Sequence, residues 1–155
     1  MTPKEKYKLF AENKNFCVVP WTGIEINSEG EIMTCAQGKT ILGNMQDQSI
    51  DEILSSKPIK DIKKNMLSNR PDANCFRCTR RQIDDKHFTY LRDHYNKLLV
   101  KDDVNYKDID EFRLHTIDLH WSNICNLRCI MCNPKQSSLI AKDDGVFMKP
   151  IEEQN

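Results

Sequence analysis

Seven cysteines in a chain of 155 residues fall into two groups, and this constrains the chain more than any other feature. Cys17, Cys35, Cys75 and Cys78 form a set of four; Cys125, Cys129 and Cys132 form a set of three packed into one short stretch. An odd count, in a chain whose opening residues lack the apolar core of a secretion signal, argues against a disulfide framework. Thiolates gathered in fours and threes are instead the ligand sets of soft metals and iron–sulfur clusters.

The two sets carry different chemistry. Four thiolates spaced C…C…CxxC can close the coordination of a zinc ion or of a cluster, and spacing alone leaves both open. The second set spells C-x3-C-x2-C over Cys125-Asn126-Leu127-Arg128-Cys129-Ile130-Met131-Cys132. Three thiolates from one loop can hold three irons of a cubane and leave the fourth iron open to a substrate or cofactor. A structural zinc site wants four protein ligands, and His120, which precedes the loop on an expected strand, is the one candidate for a fourth.

Charge excludes several partners. Lys plus Arg equals Asp plus Glu at 23 each, so no net field draws nucleic acid or an anionic membrane. The basic runs at Lys60, Lys63 and Lys64 and at Arg77, Arg80 and Arg81 are interrupted by acidic neighbours and read as solvated helix faces. No apolar run approaches the ~20 residues of a membrane span. A cytoplasmic protein is expected, with no nucleic acid and no membrane among its partners.

Local pattern places the cysteines. Residues 4–13 read as a short polar helix or arm. Gly23–Asn27 alternates apolar and polar, Ser28-Glu29-Gly30 marks a turn, and Glu31–Cys35 returns, so Cys17 precedes a hairpin and Cys35 ends it. Leu42-Gly43-Asn44 reads as another turn. Ser49 with Glu52 makes a capping box, and Pro58 opens a second helix with Ile59, Ile62 and Met66 on one face. Cys75 to Cys78 is expected in a loop, followed by a long helical stretch with Ile83, Leu91, Tyr95 and Leu98 as its buried stripe. Residues 101–111 are polar and read as a linker. Thr116–Trp121 alternates as a strand before the second cysteine loop, and 134–142 reads as the helix after it. No further strand is expected after Asp143.

With its apolar strand in front and its Asn-Pro exit to a helix, the CNLRCIMC stretch resembles the cluster loop of the radical S-adenosylmethionine superfamily. The resemblance implies that Cys125, Cys129 and Cys132 hold a [4Fe–4S] cluster whose open iron binds and reductively cleaves S-adenosylmethionine, yielding a radical that abstracts hydrogen from a substrate. Met131 departs mildly from the pattern, standing where the family often has an aromatic residue. The first set lies in the order F-C-x2-P-W, hairpin, T-C, L-G-N, S-x-x-E-I-L, C-x2-C, which resembles the SPASM/twitch modules of the same superfamily. That resemblance implies an auxiliary [4Fe–4S] cluster on Cys17, Cys35, Cys75 and Cys78. With one cluster's worth of cysteines, it is the shorter, twitch-like version.

The expected fold class is therefore α+β: an auxiliary-cluster module of β-hairpin and helices over 14–100, then the first β/α unit of a truncated partial (β/α)6 barrel over 112–155. Such a barrel needs several more units of ~30 residues each, and no Gly-Gly-Glu stretch is present. A piece of a longer chain, one half of a split enzyme completed by a second polypeptide, and a truncated relic remain open. None would run the complete reaction alone, and no catalytic side chain is assigned.

The resemblance implies two [4Fe–4S] clusters, S-adenosylmethionine, an electron donor and, from the relatives' habits, a peptide or protein substrate for a radical-generating oxidoreductase or modifying enzyme. The alternative from another class is a non-catalytic metal-binding or electron-transfer protein with zinc or a single cluster. His87 and His94 are expected in solvent-facing or packing roles. His115 and His120 flank the barrel strand, and Trp21 and Trp121 are expected to pack near the two clusters and shield them from water.

Overall fold

The structure, a computed structural model, describes residues 1–84, 91–132, 134 and 137–143. Helix α1 (Pro3–Glu12) starts where a capping box forms: Thr2 Oγ1 accepts the Glu5 N–H at 3.3 Å, and Glu5 accepts the Thr2 N–H at 2.7 Å. A four-residue helix α2 (Val19–Thr22) follows, with Pro20 in its first turn, where a missing N–H has no consequence. The hairpin β1 (Gly23–Ile26) and β2 (Glu31–Met33) pairs antiparallel, Glu25 opposite Met33. Its turn is fixed by Asn27, whose side-chain oxygen accepts the N–H groups of Glu29 and Glu31, and by Gly30 at a φ of 80°.

Leu42-Gly43-Asn44 does more than turn. Gly43–Asn44 forms a two-residue strand β3 on the outer edge of β2. Helix α3 (Ile50–Leu54) carries the expected capping box of Ser49 and Glu52, and α4 (Lys57–Leu67) opens at Pro58. Ile59, Ile62 and Met66 are all buried. A 3-10 turn (Ala73–Cys75) leads into α5 (Phe76–Asp84), then come α6 (Leu91–Leu98), β4 (Thr116–Leu119) and α7 (Ser138–Asp143). The fold is thus a small mixed α/β structure with one four-stranded sheet in the order β3-β2-β1-β4. β4 joins it in parallel with β1, from Gly23 opposite Thr116 to Ile26 opposite Leu119. The hairpin and the strand before the second cysteine loop therefore share one sheet.

The core gathers Phe16, Val18, Trp21, Ile24, Ile32, Ile53, Ile59, Ile62 and Met66 with Val104 and Tyr106. Phe16 lies 5.3 Å from Trp21 between ring centroids, and Trp21 meets Tyr106 edge-on at 5.9 Å. Val104 and Tyr106 belong to the segment expected as a linker. It is a packed strap: the Trp21 indole donates to the Asp108 carbonyl at 2.7 Å, and buried Lys63 donates to the carbonyls of Ile109 and Glu111. Lys6, also buried, pairs with Asp102 and ties α1 to the start of the strap.

Two further expectations change. The Cys75–Cys78 stretch lies in the 3-10 turn and the first turn of α5, because Asp72 accepts the Asn74 N–H at 2.8 Å and starts the helical turn. The α6 stripe is also different. Leu91 and Leu98 are exposed, Tyr95 is half-buried, and the inward residues are Arg92 and Asn96. The side chain of Ile83, the reading of His87 and the chain after Asp143 lie outside the described residues. Among the described residues, no helix is long and apolar enough to cross a membrane.

Candidate metal centre

Cys17, Cys35, Cys75 and Cys78 come from three separate elements and line one cavity of about 300 Å³. Cys17 stands on the turn into α2, Cys35 follows the hairpin, and Cys75 and Cys78 lie one helical turn apart at the head of α5. The three-residue spacing puts the last two on one face of the helix. None of the four is in a disulfide. Among the described residues, no three Cys, His, Asp or Glu side chains cluster closely enough to hold one metal ion. The four thiols instead stand around a volume. Sulfurs on one zinc ion would approach to about 3.8 Å, whereas each thiolate of a cubane holds its own iron and the set is wider. Donor type and number thus fit a cluster.

The cavity is held open by polar side chains that the periodicity of the sequence did not disclose. Asn74, only 1 % exposed, accepts the N–H groups of Lys39 and Thr40, each at 2.9 Å, and donates to Thr34 Oγ1 at 3.0 Å. The residue just before Cys75 therefore anchors both flanks of the Cys35 loop. Gly38 permits this approach, since a Cβ there would stand 3.1 Å from the Asn74 oxygen and 3.0 Å from the Cys35 carbonyl. On the other wall, Asn96 brackets Cys17: its oxygen accepts the Val18 N–H at 2.9 Å and its amide donates to the Phe16 carbonyl at 3.1 Å. Arg92, one turn earlier, donates to the Lys14 carbonyl. The sequence held no signal for this, since Leu91, Tyr95 and Leu98 make an unbroken apolar stripe that leaves out the buried Arg92 and Asn96.

Burial sets the electrostatics of the metal-free site. It pushes the Cys17 thiol far above its ordinary range, raises Cys35, and pushes Cys75 up to about 12. Neighbouring thiols reinforce these shifts, while Arg92 opposes them at Cys17 and Cys75. Metal binding here must therefore release protons.

The second set is placed very differently. Cys125 and Cys132 are half-buried, Cys129 is exposed, and Cys132 is raised by partial desolvation and then by the other two thiols, which lie within electrostatic reach. The loop folds back on α7: the Cys125 N–H donates to Ser138 Oγ at 3.3 Å, the Ser138 N–H to the Asn123 carbonyl at 2.8 Å, and Ser137 Oγ to the Leu127 carbonyl at 3.1 Å. Arg128 pairs with Asp143 at 2.6 Å. The apolar side chains around the thiols face outward, with Trp121 82 % and Ile130 fully exposed.

Neither tryptophan is seen in the expected place: Trp121 is largely exposed, and Trp21 lies in the aromatic core and is not among the described residues that line the four-cysteine cavity. His120 turns away from the loop toward the sheet, its Nε2 3.4 Å from both Glu25 and Asp118. Burial holds the Glu25 carboxyl above its ordinary value, with Asp118 adding to the shift and His120 opposing it. His115 lies 3.9 Å from Asp102, and His94 packs edge-on against Tyr95.

Comparison with known families agrees with the first set. Residues 17–79 match the family described as SPASM, an iron–sulfur cluster-binding domain, and the match begins at Cys17 and takes in Cys35, Cys75 and Cys78. This part of the chain, under half of its length, is thereby indicated as an iron–sulfur cluster-binding module. No curated protein and no solved structure matches the chain.

Proposed function

We propose that the chain is part of a radical S-adenosylmethionine protein in which Cys17, Cys35, Cys75 and Cys78 ligate an auxiliary [4Fe–4S] cluster. Cys125, Cys129 and Cys132 would hold a second one, with an iron left open for S-adenosylmethionine. The observation that carries the reading is the convergence of four thiols from three elements on one cavity, within the segment that matches a cluster-binding domain. Such clusters, when bound, supply one-electron redox chemistry tuned by charge, hydrogen bonding and exposure.

The chain's own residues would divide the work. Asn74 fixes the Cys35 loop against Cys75, Asn96 fixes Cys17, and Ile24, Met66 and Tyr95 line the cavity and exclude water. Ser137 and Ser138 hold the second loop on the head of α7. Its partly exposed thiols suit a site whose last coordination position is filled by an incoming molecule. The substrate, a peptide or protein, and the electron donor are carried by the resemblance alone. Location in the cytoplasm is proposed on the same footing.

The test is anaerobic reconstitution followed by iron and sulfide quantitation, with EPR of the reduced protein before and after adding S-adenosylmethionine. About eight irons per chain and a signal altered by S-adenosylmethionine are expected for two such clusters. About four irons with no response would leave a single closed cluster. Zinc in place of iron would overturn the reading.

A further inference from the structure

The seam between β1 and β4 sets two carboxylates face to face. Glu25 stands opposite Asp118 in the parallel register, an arrangement in which like charges repel. His120, the residue after β4, brings its Nε2 to 3.4 Å from Glu25 Oε1 and to 3.4 Å from Asp118 Oδ1. Glu25 is 7 % exposed. Its Oε2 and the His120 Nε2 are buried atoms with no hydrogen-bond partner. An unpaired buried polar atom is costly, and here two of them stand in one cluster. One proton answers both. A protonated carboxyl is a donor, a neutral imidazole nitrogen is an acceptor, and with the proton in place the repulsion across the seam is gone.

The cluster sits where the two cysteine sets are joined. The His120 N–H donates to the Ile26 carbonyl at 2.8 Å and ties the end of β4 to β1. The second cysteine loop opens at Cys125, shortly after this tie, while the hairpin on the other flank of β1 leads to Cys35.

We propose that Glu25 is a proton-dependent latch: carrying its proton, it bridges Asp118 and His120 and seats the end of β4, with the second cysteine loop behind it, on the hairpin. Loss of the proton leaves two carboxylates opposed across the seam and loosens that end. The latch lies outside both cysteine sets and does not depend on what their thiols bind. Burial is the largest influence on Glu25 and holds its carboxyl above the ordinary value of 4.5. Asp118 adds to this, whereas His120, when charged, and Arg77 of α5 favour the ionised form. Arg77 is exposed, so water and salt weaken its pull. The fold therefore keeps this proton where an unfolded chain has released it, and the seam weakens as pH rises above the ordinary carboxyl value.

The test compares amide hydrogen exchange at His120 and His115, corrected for the intrinsic effect of pH, between about pH 5 and pH 8. The His115 N–H donates to the Thr22 carbonyl at 2.7 Å at the other end of β4 and serves as the internal reference. The full chain is compared with Glu25→Gln and Asp118→Asn. In the parent, protection at His120 is expected to fall about tenfold relative to His115 across this range. Glu25→Gln keeps a donor and carries no charge, so its protection should stay high and flat. Asp118→Asn removes the opposing carboxylate and should shrink the fall. No fall in the parent, or an equal fall in Glu25→Gln, would overturn the inference. So would lower protection in Glu25→Gln than in the parent at the high end of the range, because Glu25 would then act as a carboxylate paired with His120. Should Glu25→Gln fail to fold, Asp118→Asn decides alone: a smaller fall supports the latch and an unchanged one overturns it.

Discussion

Asn74 shows how much of the candidate centre depends on one side chain. Its three hydrogen bonds join the residue before Cys75 to Thr34, Lys39 and Thr40, which flank Cys35. Replacing it with alanine would leave two backbone N–H groups and a hydroxyl to find new partners, at about 2–4 kcal/mol. N74A is expected to lower the thermal midpoint and to reduce the iron bound after reconstitution, since Cys35 loses its fixed distance from Cys75. An iron content equal to that of the parent would show that the Cys35 loop holds itself. No sequence pattern announced Asn74, because a buried asparagine is recognisable only once its partners, about 35 to 40 positions away in the chain, are known. The cysteines were legible for the opposite reason: few other residue types have so narrow a chemistry, and their spacing survives any fold.

At the scale of elements, local rules were readable and long-range pairing was not. The Ser49 capping box, the proline that opens α4 and the spacing of Ile59, Ile62 and Met66 depend on neighbours within a turn or two. The parallel pairing of β1 with β4 joins residues more than 90 positions apart and left no local trace. It depends on Gly23, where a Cβ would lie 2.5 Å from Thr116 Oγ1 and 3.0 Å from Val19 Cγ1. Gly23→Ala is expected to destabilise the protein by about 1–3 kcal/mol through overpacking at the β1–β4 seam. Thr116→Ala in the same chain should recover part of that loss, which a double-mutant cycle of unfolding free energies would read. Simple additivity of the two changes would place the strain elsewhere. The apolar alternation of β4 was legible, but Ile117 and Leu119 are exposed, since β4 is an edge strand among the described residues.

For the whole molecule, the polar composition of residues 101–111 concealed a packed strap. Its two buried apolar side chains, Val104 and Tyr106, lie among charged neighbours that reach solvent or pair with Lys6 and Lys60, while Lys63 holds the strap's backbone carbonyls. The same burial gives the metal-free protein a pH dependence. Cys17, Cys35 and Cys75 keep their protons in the fold above the ordinary thiol range, whereas an unfolded chain loses them from about pH 8.5. The fold then holds more protons than the unfolded chain, so stability falls as pH rises. Lys63, pushed down to about 8 by burial, acts in the opposite sense up to its ordinary value of 10.5, but it is one group against three. The thermal midpoint of chelator-treated, reduced protein is expected to drop between about pH 8.5 and 10.5. A flat or rising midpoint would mean that the thiols are accessible to water in the empty fold.

The four-cysteine cavity can be isolated and measured directly. In the full chain with Cys125, Cys129 and Cys132 changed to alanine, anaerobic reconstitution should yield about four irons and four sulfides per chain. Changing Cys35 or Cys78 in that background should abolish the intact cluster. Stoichiometric zinc with no sulfide, or iron retained without Cys35 and Cys78, would contradict the claim that these thiols enclose an iron–sulfur cluster.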